Sequence, residues 1–142
     1  MIFLGTFIHN LDDKNRIVLP AKLLVKLTKK IVISKGFDGC LELRNEGDFE
    51  QYANSLMKLT QTKKDSRIVI RQLLANACDL EIDTSKRILI PNNLLVEANI
   101  NKEIIIIGVG DKIELWDKET YNKFKKDTDK TFEKIAENLE KE

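Results

Sequence analysis

The sequence is poor in the residues that mark secreted, fibrous or redox proteins. It has two cysteines, two prolines and six glycines among 142 residues, which argues against a disulfide scaffold and against a collagen-like or low-complexity chain. Cys40 and Cys78 fall within apolar patterns and lack the close spacing of a zinc knuckle. We therefore expect two buried thiols, and we predict no metal and no cofactor.

Residues suited to catalysis are also scarce, because the chain has one histidine, His9. A lone histidine outside any Ser-His-Asp arrangement is a weak general base. The segment GVGDK, residues 108–112, is too short for a phosphate-binding loop and lacks its lysine-serine ending. We predict that the protein is not an enzyme.

Long apolar runs are missing as well. The first ten residues, MIFLGTFIHN, are apolar, but they have no basic leader, no small-residue cleavage site and too little length to cross a bilayer. Hydrophobic residues make up 42% of the chain and charged residues 33%, as in ordinary folded proteins. We expect a cytoplasmic protein with one compact body.

Charge of one sign is not in excess overall, since the net charge is +1, but the charges are unevenly distributed. Residues 1–35 hold seven lysines and arginines against two acids, whereas residues 76–116 hold four basic residues against seven acids. Such an asymmetry suits a surface that meets a polyanion, or a protomer whose basic and acidic halves meet in a ring. Composition leaves both interpretations open.

What the sequence does contain is a repeated segment. DDKNRIVLP at residues 12–20 returns as DTSKRILIP at residues 83–91, and a Leu-Leu-Val run follows each copy at the same spacing. With one inserted residue the match resumes between GFDGCLEL, residues 36–43, and GVGDKIEL, residues 108–115. The chain is therefore predicted to be an internal duplication.

Each copy is predicted to be a β-turn-β-α-β unit. The Asp-x-x-Asn/Lys segment favours a tight turn, because aspartate accepts backbone hydrogen bonds and asparagine tolerates left-handed backbone. A short β-branched run follows, and proline then suits the first turn of a helix. The predicted helices span 21–29 and 92–99, and the strand pairs that close each copy are 31–34 with 41–43 and 104–107 with 113–116.

The rest of the chain is predicted to be helical. An insert between the copies carries an amphipathic stripe from 49 to 57, and Asp65 or Ser66 could cap a second helix that extends to Ala77. Asp117 could cap a C-terminal helix with an apolar side: Tyr121, Phe124, Phe132, Ile135 and Leu139. The predicted divisions are a first repeat at 1–44, a helical insert at 45–77, a second repeat at 78–116 and a C-terminal helix at 117–142.

Together these elements predict an α+β fold. One copy cannot close its own sheet, so interleaving the two copies would bury both apolar faces in a single small barrel. This explains why strands, prolines and leucines are repeated. It does not explain why an Asp-x-x-x-Arg core stands in both copies while the neighbouring polar residues differ.

Four segments, two of which contain that core, resemble the MraZ family, which belongs to the AbrB-like swapped-hairpin transcription factors. They are FLGTFIHNLDDKNRIVLPAK at the start, GCLEL at 39–43, IDTSKRILIPNNLL in the second copy and IIIIGVGDKIELWDKE at 104–119. The resemblance covers nearly the whole chain and implies an AbrB-like barrel and a DNA-binding regulator of division and cell-wall genes. It further implies a nucleoid-associated, ring-shaped homo-oligomer that reads closely spaced direct repeats in double-stranded DNA.

In that family the arginines of the repeated core face DNA, which implies this role for Arg16 and Arg87. A guanidinium can bind two acceptors on one guanine in the major groove. The lysines expected to contact backbone phosphates are Lys14, Lys86 and Lys22. The residues expected to shape the turns and aim the arginines are Asp12, Asp83 and Asn15. The pattern also allows a bland interpretation, in which each arginine only closes an ion pair within its own hairpin.

The chain departs from the family pattern in both copies. Most members have glycine before the arginine, where Asn15 and Lys86 stand, and left-handed backbone costs a lysine on the order of 1 kcal/mol. We therefore expect the second turn to differ in shape. Members also commonly have a basic residue where Leu24 and Leu95 stand, so we expect a cation to be missing in both copies.

Two alternatives remain open from the sequence. His9, on an alternating strand beside the first turn, is expected to be a buried or hydrogen-bonded structural residue, or else a DNA contact. The protein itself could instead be a structural ring-forming or protein-interaction module, because the apolar side of the C-terminal helix has no evident partner in the sequence.

Overall fold

Strands alternate with short helices along the chain, and a computed structural model describes residues 2–140. The elements are β1 (Phe3–Asn10), β2 (Arg16–Val18), α1 (Ala21–Leu24), β3 (Lys30–Lys35), β4 (Leu41–Asn45), α2 (Glu46–Met57), α3 (Lys64–Leu74), β5 (Ala77–Glu81), β6 (Arg87–Leu89), α4 (Asn92–Glu97), β7 (Glu103–Gly110), β8 (Ile113–Asp117), α5 (Lys118–Asp129) and α6 (Phe132–Glu140). Met1, Lys141 and Glu142, the ends of the predicted first repeat and C-terminal helix, lie outside the described residues.

The strands of the two copies exchange partners. An antiparallel sheet of six strands has the order β1-β7-β8-β4-β3-β5, and β2 and β6 form a separate two-stranded ribbon. β1 of the first copy pairs with β7 of the second, from Phe3 with Gly110 to Asn10 with Glu103. β5 of the second copy pairs in turn with β3 of the first. The predicted interleaving and the α+β class are therefore confirmed.

The predicted barrel is not confirmed, because the six-stranded sheet is open. β1 and β5 are its two edges and do not pair with each other within residues 2–140. The ribbon covers one face of the sheet, while α2, α3 and α5 pack on the other, so the apolar strands are buried without closure. Cys78 on the edge strand β5 is only half-buried, and the prediction of two buried thiols holds for Cys40 alone.

Alternation along the strands decides which apolar residues enter which layer, since neighbouring side chains on a strand point to opposite faces. In β7, Ile104 and Ile106 belong to the main core, the apolar cluster between the sheet and the ribbon. Ile105 and Ile107 instead pack with Trp116 on the helix-covered face. A continuous run of isoleucines is thus buried on both sides of one strand.

Helix bounds differ from the prediction around the first copy and the insert. α1 ends at Leu24 rather than at 29, because Lys26 N–H bonds to Leu23 O and tightens the last turn. α3 begins at Lys64 and has no side-chain cap, so the prediction of a cap at 65 or 66 is wrong. Ala77 is the first residue of β5 and not the end of a helix.

The C-terminal segment forms two helices instead of the single one predicted. Asp117 caps α5 as predicted, since its carboxylate accepts a hydrogen bond from Thr120 N–H. α5 ends at Asp129, where the Thr128 hydroxyl donates to the Phe124 carbonyl at 2.9 Å, a bond of the type that bends helices. No helix within residues 2–140 is long and apolar enough to cross a membrane.

Replacing Gly108 with alanine should destabilise the protein, because a Cβ there would lie 2.4 Å from the backbone N of Leu4 in the paired strand β1. Overpacking of this kind costs ~1–3 kcal/mol. In the matched control, Gly47→Ala in α2, a Cβ would have nothing within 4 Å, and the helix should gain about 0.5–1 kcal/mol. Urea unfolding followed by circular dichroism measures both changes. Equal stability of G108A and wild type would contradict the close approach of β1 and β7.

Candidate nucleic-acid interface

The ribbon brings the two copies of the repeated core side by side. β2 and β6 pair antiparallel, with Arg16 opposite Leu89, Ile17 opposite Ile88 and Val18 opposite Arg87. The pairing continues into the turns, because the Leu19 and Ile90 N–H groups donate to Lys86 O at 3.0 Å and to Asn15 O at 2.9 Å. Each turn is therefore tied to the strand end of the other copy, and the ribbon has approximate two-fold symmetry.

Side chains of the ribbon alternate between the main core and the outside. Ile17 and Ile88 are each 1% exposed and belong to the main core. The residues on either side of them must point the other way. They form the outer surface that we call the ribbon face: Arg16, Val18, Arg87 and Leu89. Both arginines of the repeated core thus share one surface.

An aspartate organises each turn through one carboxylate oxygen. Asp12 Oδ1 accepts hydrogen bonds of 2.9 Å from the N–H groups of Lys14 and Arg16. Asp83 Oδ1 accepts the equivalent pair, also at 2.9 Å, from the N–H groups two and four residues further along. The two turns have the same hydrogen bonds at the same offsets.

The second oxygen of each aspartate holds the arginine side chain. Arg16 Nε donates to Asp12 Oδ2 at 2.8 Å, and Arg87 Nε donates to Asp83 Oδ2 at 3.0 Å. Within residues 2–140 these are the only side-chain hydrogen bonds that either guanidinium makes. The inner edge of each group is therefore oriented, while its Nη donors are available for the paired acceptors that guanine presents.

The expectation that the second turn differs in shape is wrong. Asn15 has φ 61° and Lys86 has φ 64°, so both residues adopt the left-handed backbone that glycine provides in most members. Lys86 stays in this conformation although it lacks asparagine's tolerance for it. Its carbonyl accepts from Leu19, and its N–H donates to Asp83 O at 3.0 Å.

The lysines predicted to contact phosphates are all exposed. Lys14 and Lys86 lie in the two turns beside the arginines, whereas Lys22 lies on α1, outside the ribbon. Among the described residues none of the three forms an ion pair. Their ammonium groups are thus open to an anion from outside.

Leu24 and Leu95, where family members commonly have a basic residue, both contribute to the main core. Leu95 is 6% exposed there, and Leu24 packs against the same core. Both positions thus hold apolar side chains that pack in the core, which agrees with the expectation that a cation is missing there. His9 Nδ1 donates to Val18 O at 2.6 Å, which confirms that His9 is a hydrogen-bonded residue and ties β1 to the ribbon.

Sequence reasoning missed two members of the ribbon face. Val18 and Leu89 are 47% and 55% exposed, although they neighbour isoleucines in the main core. The signal was available, because a strand that buries its central isoleucine must expose the residues on both sides. Each short strand reads as one apolar run in the sequence unless this alternation is applied to it.

A cluster of side chains of the types that bind metal ions lies on the helix-covered face of the sheet. Cys40, Glu42 and Glu114 bring one thiol and two carboxylates within 4.8 Å of one another. Arg44 pairs with Glu42 at 2.8 Å, and Trp116 Nε1 donates to Glu114 at 3.0 Å. Burial and the nearby acids raise the pKa of the Cys40 thiol, whereas a metal needs the thiolate. These contacts favour a buried polar network over a metal centre.

These features define an α+β protein in which an antiparallel ribbon pairs two arginine-bearing turns, and comparison with known proteins gives the family. The family model described as "MraZ protein" matches twice, over residues 2–72 and 73–142. The chain belongs to the MraZ family.

Three relatives are each named "Transcriptional regulator MraZ". The protein of Mesoplasma florum is 43% identical over 98% of this chain and 96% of its own length. That of Mycoplasmoides gallisepticum is 42% identical over 98% of both chains. That of Caldanaerobacter subterraneus is 40% identical over 98% of this chain and 97% of its own.

Replacing Lys86 with asparagine should stabilise the fold, because asparagine tolerates a φ of 64° better than lysine does. Left-handed backbone costs ordinary residues ~1–2 kcal/mol, so we expect a gain of up to about 1 kcal/mol in the free energy of unfolding. Lys14→Asn is the matched control, since Lys14 has no positive φ. Urea titration of the two variants measures the difference, and an equal response would contradict strain at Lys86.

Acid should weaken the turns in a defined pH range. Hydrogen bonds from the backbone N–H groups of Arg16 and Arg87 lower the pKa of Asp12 and of Asp83 below the ordinary 3.8. A carboxyl whose pKa is lower in the folded state stabilises the fold above its unfolded pKa and loses that contribution as the pH falls through the folded value.

The Asp12→Asn/Asp83→Asn variant should therefore be less stable than wild type at about pH 7. The gap should close as the pH falls below 3.8, with urea midpoints as the readout. Asp13→Asn is the control, because Asp13 makes no side-chain hydrogen bond within the described residues. A gap that stays constant with pH would rule out a contribution from these carboxylates.

Proposed function

We propose that the protein is a transcriptional regulator that binds double-stranded DNA in a sequence-specific way through the ribbon face. One observation carries this proposal. Arg16 and Arg87 share a surface on which each guanidinium is oriented at Nε and has its Nη donors open. A guanidinium in this pose can donate two hydrogen bonds to O6 and N7 of guanine, and two-stranded ribbons fit the major groove.

Lysines next to the ribbon would supply the affinity that is independent of sequence. Lys14, Lys86 and Lys22 are exposed, and flexible ammonium groups suit backbone phosphates. The carboxylates of Asp12 and Asp83 are engaged by N–H groups and by the arginines. We assign them, with Asn15, the role of shaping the turns and aiming the guanidinium groups.

The relatives support regulation as the biological role, since the name they share is that of a transcriptional regulator and not of an enzyme. We infer that the targets are the division and cell-wall genes that the family resemblance implies. The regulator would then lie with the nucleoid in the cytoplasm. We also propose that the chain consists of two AbrB-like repeats, with a helical insert (α2 and α3) between them and a C-terminal helical segment (α5 and α6) after them.

Assembly into a ring would let several protomers read tandem direct repeats. One ribbon face offers two arginines and therefore few base contacts, so a single short repeat should bind weakly. Linked protomers raise the effective concentration at the next repeat and strengthen binding without any new type of contact. A net charge of +1 agrees with affinity that comes from the number of sites and not from a strongly basic body.

The first test is fluorescence-anisotropy binding to duplex DNA from the gene's own upstream region, against a scrambled duplex. Each arginine contact that is lost should weaken specific binding by about 5–150-fold, so Arg16→Ala/Arg87→Ala should bind both duplexes equally weakly. Arg67→Ala/Arg71→Ala in α3 removes the same charge away from the ribbon and should bind as wild type does.

A salt series separates this mechanism from apolar association. Contacts to several phosphates make affinity fall steeply as salt rises, and Lys14→Ala/Lys86→Ala should reduce that slope while keeping the preference for the upstream duplex. Equal, weak binding of wild type to both duplexes, unchanged in the arginine variant, would contradict the proposed function.

Repeat number gives a second prediction. Upstream DNA with three or four tandem repeats should bind at least ~100-fold more tightly than one repeat, because linked sites commonly gain 10²–10⁴ in affinity. Light scattering during chromatography should find a homo-oligomer before DNA is added. Equal affinity for one repeat and for an array would exclude multivalent reading.

The alternative function, a ring-forming or interaction module built on the C-terminal segment, is favoured by one observation. Phe132, Ile135 and Leu139 on α6 are 60%, 50% and 64% exposed. Apolar packing of this stripe would resist salt, unlike DNA binding. If Arg16→Ala/Arg87→Ala left every activity intact while Ile135→Asp abolished the oligomer, this alternative would replace DNA reading.

A further inference from the structure

The ribbon face carries two aliphatic side chains to which the proposed binding of guanine by the arginines assigns no role. Val18 is 47% exposed and Leu89 is 55% exposed. Exposed aliphatic residues are common on proteins and need no function in themselves. What distinguishes this pair is position, because Leu89 lies directly opposite Arg16, and Val18 lies directly opposite Arg87.

We propose that Val18 and Leu89 contact the C5-methyl groups of thymines in the major groove, next to the guanines that the arginines read. The ribbon face would then read guanine and thymine together through four side chains. This inference rests on the proposed function, and it adds an apolar element to the polar reading by the arginines.

The register places the aliphatic residues where such a methyl group would lie. Residues directly opposite on paired antiparallel strands have Cβ atoms about 4.5–5.5 Å apart. Bases on one DNA strand follow at about 3.4 Å. A side chain opposite an arginine bound to guanine therefore lies over the same base pair or an adjacent one. Hydrogen bonds to the carbonyls of Val18, Asn15 and Lys86 hold the ribbon in this geometry.

The chemistry matches thymine better than any other base. In the major groove guanine and adenine present acceptors or donors, cytosine presents a donor, and thymine presents an acceptor with a methyl group beside it. An aliphatic side chain can cover that methyl group without leaving a polar group unpaired. Burying one methyl group corresponds to about a four-fold gain in affinity.

A second copy of the chain is a poorer occupant of this surface. Each guanidinium is paired with an aspartate, but two ribbon faces in contact would bring together the turn lysines Lys14 and Lys86 of both copies, and like charges across an interface oppose association. The duplex instead supplies negative charge on both sides of the groove, opposite Arg16, Arg87 and the exposed lysines of the turns. Charge complementarity therefore selects nucleic acid as the partner for the apolar pair as well.

Replacing thymine with deoxyuridine tests the proposal, because it removes the methyl group and leaves the hydrogen-bonding edge intact. We would measure binding of wild type to the upstream duplex and to the same duplex with deoxyuridine at every thymine. Wild type should bind the deoxyuridine duplex about four-fold more weakly for each methyl group contacted. Val18→Ala/Leu89→Ala should bind both duplexes with equal affinity.

Val25→Ala/Val96→Ala is the matched control. These valines occupy equivalent positions in the two copies, lie outside the ribbon, and are 77% and 71% exposed. The control should discriminate thymine from deoxyuridine as wild type does. Val18→Thr, which keeps the branched shape and the strand preference, provides a folded second variant that should also lose part of the discrimination.

The outcomes separate this inference from the proposed function beneath it. If wild type prefers the upstream duplex through Arg16 and Arg87 but binds the deoxyuridine duplex equally well, the thymine contact is overturned and the DNA regulator stands. The inference also fails if Val18→Ala/Leu89→Ala still discriminates thymine. If wild type binds the upstream and scrambled duplexes alike, the proposed function and the inference fail together.

Discussion

The contact between Ile17 and Ile88 is the constraint on which the rest of the structure depends. These residues are paired across the ribbon and fully buried against the sheet. A slip of one strand by one residue would turn its isoleucine outward and its arginine into the main core. Burying a guanidinium without a partner costs far more than a two-stranded ribbon can offset. The apolar contact that stabilises the core therefore also fixes the arginines on the outside.

The turns orient the arginine side chains that the register places on the outside. In each aspartate, one carboxylate oxygen accepts hydrogen bonds from backbone N–H groups and the other accepts one from the arginine Nε. One carboxylate therefore holds both the backbone of the turn and the arginine side chain. Side chains that are fixed before binding lose less conformational entropy when they bind. The ion pair between each arginine and its own aspartate, which could be purely structural, is thus the same contact that would orient the arginine for binding a base.

Much of this arrangement could be predicted from the sequence, because the repeat and the alternation are local signals. Both turns and the exchange of strands between copies followed from these signals, whereas the role of the two arginines was implied by the family resemblance. The open sheet did not follow, since alternation tells which residues are buried but not what covers them. The common shape of the turns did not follow either. Lys86 adopts φ 64°, and it is held by one hydrogen bond from Leu19 of the other copy and one to Asp83 of its own turn. The break in the C-terminal segment lies beside a threonine hydroxyl that bonds to the backbone, which no apolar stripe reveals.

The pairing of β1 with β7 also has a consequence for how the protein is made. Phe3 pairs with Gly110, so β1 must wait for its partner until the roughly hundred residues between them have been synthesised. At about 5–20 residues per second this delay is roughly 5–20 s. During that interval β1 exposes Phe3, Leu4 and Ile8 with its backbone unpaired. Neighbouring ribosomes on one message carry the same strand on chains of different length, so an unpaired β1 on one chain can meet a β7 already completed on another.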